Sequence, residues 1–268
     1  MGKITRRAFL RDLGQGTLAV AVFGLAVAAC ADEGDSAGTS STAGSTPTSA
    51  GEAESPTTTS ATSPTSTTAG SPGELRWEQV SLGSVSAYLL VRGGEVAIVD
   101  TGNPGSEGAI EETLAAVGTS WDDVGHVILT HLHPDHIGSL GAVMEAAPAA
   151  AGYAGEPDIP QIPSPRPLTA VDDGSSVFGL EIIATPGHTA GSISVLDAGS
   201  GVLVAGDALR TADGSVIGAA PQFSQDMALA NESVRKLAQL SFETVLVGHG
   251  APVVGGADAL VVELAAGL

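Results

Sequence analysis

Only one cysteine, Cys30, occurs among the 268 residues. No intramolecular disulfide can form, so stability must come from the core and from any bound metal. A lone thiol so near the amino terminus also removes thiolate ligands and a cysteine nucleophile from any domain folded farther along. Basic residues are scarce as well: 10 Lys and Arg stand against 30 Asp and Glu, a formal charge of −20. From Glu74 onward 24 acidic residues face six basic ones, a balance of −18. A nucleic-acid enzyme presents a basic patch, and with none available nucleic acid is excluded as a partner and polyanionic substrates are disfavoured. Long apolar runs are missing too. The stretch "TLAVAVFGLAVAA" has 13 residues, short of the ~20 that a membrane span requires.

Histidine is present in modest number but is concentrated. Of six histidines, three fall with one aspartate in the segment "THLHPDHIG", Thr130 to Gly138. A lone histidine is ordinarily a satisfied core or surface residue; four such groups at H-x-H-x-D-H spacing have a different meaning. On extended backbone, residues i and i+2 project to the same side, so His131 and His133 reach one point. Pro134 fixes its own φ and lacks an N–H, which predicts a turn in place of a helix and re-aims Asp135 and His136. The loop reads as one built to hold cations.

The amino-terminal part is expected to be an address and a tether. Arg6-Arg7 precede the apolar run, which fits the hydrophobic region of a secretory signal, and the pair resembles a twin-arginine export signal. Val27-Ala28-Ala29-Cys30 resembles the lipobox of bacterial lipoproteins, which implies that Cys30 is lipidated and that a membrane is a partner through that lipid. Residues 1–29 are thus expected to be a signal peptide, and the protein an exported lipoprotein with its domain outside the cytoplasmic membrane. Residues 30–73 are almost wholly Ser, Thr, Gly, Ala and Pro. They have too little to bury to offset their ordering entropy and read as a flexible linker with a reach of roughly 35 Å.

The folded domain is expected over residues 74–268, in the α/β class. Strands are predicted near Val85–Val91 and Glu95–Val99, with Gly93-Gly94 between them suited to a tight hairpin. A helix near Glu107–Val117, a buried strand "HVILT" from His126, and a helix near Ser139–Ala147 follow. Further strands are "LEIIAT" from Leu180, "SISVLD" from Ser192, "GVLVAG" from Gly201 and "TVLVG" from Thr244, with an amphipathic helix over "QDMALANESVRKLAQL". Two successive sets of this kind predict two sheets packed face to face with helices outside. Asp100, His188, Asp207 and His249 each come just after a predicted strand, on short connections where sites are assembled. His126 lies at the other end of its strand from His131 and is read as structural.

"VDTG", "THLHPDH", "PGHTAGS", "AGDAL" and "VGHG", in that order, resemble the metallo-β-lactamase superfamily across essentially all of Glu74–Leu268. The resemblance implies a four-layer αββα fold and two divalent metal ions. Position by position it implies that His131, His133 and His188 bind one ion and Asp135, His136 and His249 the other. Asp207 would bridge both, and Asp100 would support the ligand loop. Imidazole and carboxylate ligands suit zinc, with iron or manganese as alternatives.

Such ions lower the pKa of bound water from about 15.7 toward roughly 7 and polarise a carbonyl, so no protein nucleophile is needed. Asp135 is the candidate catalytic proton shuttle. The expected activity is metal-dependent hydrolysis of a small carbonyl ester, a thioester or a lactone, because the bridging Asp207 favours those branches of the superfamily. The 19 residues after His249 are too few for the helical glutathione-binding domain of a glyoxalase II. The other readings are a β-lactamase, a mononuclear iron enzyme like the persulfide dioxygenases, and a metal-capturing lipoprotein. The pocket is expected to be shaped by Tyr153–Arg166 and Ala208–Phe223. Within these, Arg210 and Tyr153 have the bland readings of a surface ion pair and a packing aromatic. Nothing in the sequence fixes the oligomeric state.

Overall fold

In the computed structural model the described residues are 73–268. The expected signal peptide, Cys30 and all but the last residue of the linker lie outside them. Among the described residues no helix is long and apolar enough to cross a membrane.

Two six-stranded sheets make up the core. The first holds β1 (Arg76–Leu82), β2 (Val85–Arg92), β3 (Glu95–Val99), β4 (Val124–Leu129), β5 (Ala151–Gly155) and β6 (Leu168–Val171) in that spatial order. β1 to β3 form an antiparallel meander, and β3 to β6 run parallel. The second sheet draws on β7 (Ser176–Val177), β8 (Leu180–Ala184), β9 (Ile193–Asp197), β10 (Val202–Gly206), β13 (Thr244–Val247) and β14 (Val253–Val254), in the order β14-β13-β10-β9-β8-β7. In the chain between β10 and β13, β11 (Leu209–Ala212) and β12 (Ser215–Gly218) form a separate hairpin. The helices are α1 (Glu107–Ala116), α2 (Pro134–Ile137), α3 (Leu140–Ala146), α4 (Met227–Leu237) and α5 (Ala257–Ala266).

Strand alternation explains the layering. Leu90, Ala97, Val99 and Ile128 of the first sheet meet Ile182, Val195, Val204 and Leu246 of the second in one apolar layer. Their neighbours Leu89, Ile98, Val127 and Leu129 point the other way, onto Ile110 and Leu114 of α1 and Leu140 and Val143 of α3. Leu203, Val245 and Val247 likewise face Val234 and Leu237 of α4 and Val261 of α5. Strands buried on both faces read as continuous apolar runs, which is why the central ones are plain in the sequence. The result is the four-layer αββα arrangement, with helices outside two packed sheets. Tyr88 links the sheets directly, its buried hydroxyl donating to the Val247 carbonyl at 2.8 Å.

One local expectation is corrected. Pro134 does not prevent a helix; it begins one, α2, with His133 extended at the N-cap position. Proline at the first helical position gives up an N–H that would have no partner there, and its fixed φ suits the turn.

Candidate metal centre

All seven candidate ligands come together at one edge of the sandwich, just beyond the carboxyl ends of β4, β8, β10 and β13. His131, His133 and His188 form one trio; Asp135, His136 and His249 form a second; and Asp207 groups with His131 and His136. Within each group the nearest ligand atoms lie within 4.8 Å of one another. Asp207 sits between the trios. Its carboxylate oxygens are 3.4 Å from Nε2 of His136, 3.4 Å from Nε2 of His188 and 3.3 Å from Nε2 of His249.

Hydrogen bonds fix which nitrogen of each ring faces inward. The Thr130 hydroxyl donates to Asp100 Oδ2 at 2.7 Å, so toward Nδ1 of His131, 3.0 Å away, it accepts. His131 therefore carries its proton on Nδ1 and turns a bare Nε2 inward. His188 is set in the same way: Ser224 Oγ donates to the Ala220 carbonyl and accepts from His188 Nδ1 at 3.0 Å. His136 donates from Nδ1 to Asp100 Oδ2 at 2.8 Å, and His249 from Nδ1 to the Ser84 carbonyl at 2.6 Å. Four rings thus present Nε2 to the centre. His133 is reversed, with Nδ1 inward and 2.9 Å from Nε2 of His188.

Two observations show that the residues fit cations. His131 Nε2, His136 Nε2 and Asp207 Oδ1 are buried side-chain atoms without a hydrogen-bond partner, a costly state unless another group satisfies them. The space between them is also kept open, because a Cβ at Gly248 would press on Asp207 Oδ1 and come within 2.6 Å of His136 Cε1.

The electrostatics divide the trios. Burial and neighbouring imidazoles hold His131 well below its ordinary value. Burial lowers His133, and it pulls His188 down to about 4 despite the pull of Asp207 in the other direction. These rings are neutral, the form that binds metal. In the second trio, hydrogen bonds to Asp135 and then Asp207 raise His249 to about 10. The His249 hydrogen bond in turn takes Asp135 down to about 2. Burial opposes a charge on His136, yet Asp100, Asp207 and Asp135 together raise it. For Asp207, too, burial favours the neutral acid but is outweighed by His249 and the other imidazoles, so its carboxyl is lowered. In the metal-free protein, a proton on His249 sits where a cation would otherwise balance the carboxylates.

Asp100, at the end of β3, is buried and has a φ of 62°, in the left-handed region that aspartate tolerates better than most residues. That conformation lets one carboxylate accept from the Thr130 N–H at 2.8 Å, the Thr130 hydroxyl and His136 Nδ1 together. The remaining candidates lie elsewhere. His126 Nδ1 is 3.3 Å from the Tyr153 hydroxyl, and its Nε2 is 3.4 Å from Glu95 Oε1. Tyr153 packs against the layer between the sheets, and Arg210 donates to the Gly218 carbonyl within its hairpin. The cavity beside the centre, about 360 Å³, is walled by His133, Asp135, Asp207 and His249 with Asn103, Pro134 and Phe223. Of the two segments expected to shape it, only the second contributes, through Phe223, and Tyr153–Arg166 does not reach it. Asn103 is an unpredicted wall residue. Ser224 and the Ser84 carbonyl were also missed, because a hydroxyl or a peptide carbonyl 36 or more residues away along the chain leaves no spacing pattern. Thr130 adjoins His131, but a single hydroxyl carries no signal of its own.

Residues 80–249 match the family model described as the metallo-beta-lactamase superfamily. The chain belongs to that superfamily, and within it to the metal-dependent hydrolases. It is 32% identical over 204 residues to the probable metallo-hydrolase YflN of Bacillus subtilis, covering 59% of this chain and 76% of that protein. Over 169 residues it is 34% identical to a hydroxyacylglutathione hydrolase of Acidiphilium cryptum, covering 61% of this chain and 63% of that one. Among solved structures it resembles a metallo-beta-lactamase family protein from Thermus thermophilus, with a TM-score of 0.57 and 27% identity over 72% of this chain and 78% of the other. A protein solved in a di-iron-bound form also has a TM-score of 0.57, at 26% identity over 68% of this chain and 96% of that one.

Proposed function

We propose that the protein hydrolyses a small carbonyl ester, a lactone or a thioester, at a centre of two divalent ions. The observation that carries this reading is the place of Asp207, a buried carboxylate between two trios that each offer inward-facing ligand atoms. His131, His133 and His188 would hold one ion and Asp135, His136 and His249 the other, with Asp207 common to both. Zinc suits this donor set, as do iron and manganese. When bound, the ions supply Lewis acidity and an activated water.

The chain's own residues do the rest. Asp135 forms part of the cavity wall, and its side chain is 35% exposed, so its carboxylate can take up and pass on a proton beside the scissile bond. Phe223, 65% exposed at the rim, offers an apolar surface to an acyl chain. Among the described residues no lysine or arginine stands in the wall, which supports an uncharged substrate and favours a lactone over an anionic thioester. The similarity to a hydroxyacylglutathione hydrolase supports the thioester.

Steady-state rates on a lactone, a thioester, an aryl ester and a cephalosporin, with His133→Ala as the blank, test the reading. Metal-dependent turnover of one of the first three is expected. Rates on those three equal to the blank, beside rapid cephalosporin opening, would reassign the protein as a β-lactamase. Metal analysis should find close to two ions per chain, and Asp207→Ala should lower the occupancy of both sites.

We also propose that Arg6-Arg7 direct export and that Cys30 anchors the chain to a membrane by lipid. The arginine pair, the apolar run and the placement of the only cysteine at its end support this. Replacing both arginines by lysine should leave the chain in the cytoplasm, and Cys30→Ser should abolish lipidation.

A further inference from the structure

Asp158 is an acid that belongs to none of the candidate ligand groups among the described residues. It is 1% exposed, sits just past β5 in a turn closed by its own N–H to the Gly155 carbonyl at 3.0 Å, and has no arginine or lysine partner among the described residues. A carboxylate taken out of water needs several good donors to offset its lost hydration, and all three donors to Asp158 come from two loops. Oδ2 accepts from the Leu132 N–H at 3.0 Å and from the Thr189 hydroxyl at 2.6 Å. Oδ1 accepts from the Gly191 N–H at 2.7 Å. Leu132 lies between His131 and His133, and Thr189 and Gly191 closely follow His188. One carboxylate thus grips the chain beside every member of the first trio.

The surroundings are shaped to allow this grip. A Cβ at Gly191 would lie 2.6 Å from the Asp158 carboxyl carbon, and one at Gly155 would run into the Gly191 carbonyl. The loops can therefore approach only with glycine at both places. The second trio is held by other means: His136 by Asp100, His249 by the Ser84 carbonyl.

We infer that Asp158 is a positioning residue that holds the 131–133 and 188–191 loops at the spacing the His131, His133 and His188 trio needs for one ion. This rests on reading those histidines as metal ligands. Asparagine at 158 keeps the shape but points an N–H₂ at one of the donors, so one of the three bonds becomes a repulsion. The two loops would then drift relative to each other while Asp100 and Ser84 kept their grip on the second trio.

The test is site-resolved metal binding. The full chain is loaded with cadmium, and the two sites are followed by ¹¹³Cd resonance and by chelator competition, in the wild type, Asp158→Asn, Thr189→Val and Thr189→Ser. For Asp158→Asn the three-imidazole site should lose ~10- to 100-fold in affinity with a shifted resonance, while the second site changes by less than about threefold. Thr189→Val should lose affinity at the same site alone, and Thr189→Ser, which keeps the hydroxyl, should restore it. If Asp158→Asn does not fold, the threonine pair decides alone. Equal weakening of both sites, or an unchanged first site, would overturn the inference while leaving the metal centre standing. A wild-type chain that takes up no cadmium would overturn both.

Discussion

Nδ1 of His133 and Nε2 of His188 lie 2.9 Å apart although 55 residues separate them in the chain. Each ring turns a ring nitrogen toward the other, a contact that requires either a shared proton or a shared cation. The hydrogen bond from His188 Nδ1 to Ser224 already fixes the His188 proton on the far side, so its near nitrogen is a bare acceptor. Such an arrangement makes the consequences of single substitutions specific.

Asp100→Asn should weaken the second ion more than the first. The asparagine retains the left-handed backbone that this position needs, so the fold should hold, but it loses a charge from the hydrogen bond that orients His136 directly, whereas His131 is reached only through the Thr130 hydroxyl. A loss of ~10- to 100-fold in affinity for one ion is expected, with circular dichroism and thermal midpoint nearly unchanged. Equal loss of both ions in chelator competition would contradict this.

Gly248→Ala should abolish or halve metal content without unfolding the chain. The added methyl would occupy the space between Asp207 Oδ1 and the His136 ring, where neither partner can move away without giving up its own contacts. Elemental analysis of a cooperatively folding Gly248→Ala protein that still held two ions would refute the point.

Affinity for the two ions should depend differently on pH. His249 is raised to about 10, so at neutral pH it is protonated in the metal-free protein and an entering ion must displace that proton; His136 is shifted in the same direction. Affinity at the second trio should therefore rise with pH, by up to about tenfold per unit for each proton released, and level off as His249 passes about 10. His188, at about 4, is already neutral, and the first trio should show little change between roughly pH 6 and 9. Chelator competition across that range measures both slopes, and two parallel slopes would count against the assignment.

Tyr88→Phe should cost stability at a distance from the chemistry. The lost hydroxyl leaves the Val247 carbonyl one partner short in the layer between the sheets, worth about 0.5–1.5 kcal/mol. Denaturant unfolding should show a lower midpoint at an unchanged slope. A stability equal to that of the wild type would mean that the hydrogen bond makes no net contribution.

Much of this was legible in the sequence, for identifiable reasons. β2, β3, β4, β10 and β13 are buried on both faces and so appear as apolar runs, and the residues that follow β3, β4, β10 and β13 are the ones the centre brings together. β1 was not legible, because it is an edge strand whose "RWEQVSL" is half exposed and mixes charged with apolar residues. The two-residue strands β7 and β14 have no periodicity to read, and α5 is apolar on too many sides to declare a face. The polar partners Thr130, Ser224 and Asp158 were missed because a hydroxyl or a lone acid in a loop carries meaning only once the fold has placed it. Pro134 was misread because its effect depends on where in a helix it falls.

Each trio of candidate ligands draws on both halves of the sandwich, His131 to His136 following a strand of the first sheet and His188 and His249 strands of the second, as does Asp207 between them. A slip of one sheet over the other by a fraction of an ångström would disturb both trios at once, whereas damage confined to the connection after β8 or to the one after β13 would reach one trio only. Metal content is in that sense a gauge of sheet alignment. A substitution deep in the shared apolar layer, far from any ligand, would register as uniform loss of both ions before the chain showed any other sign of injury.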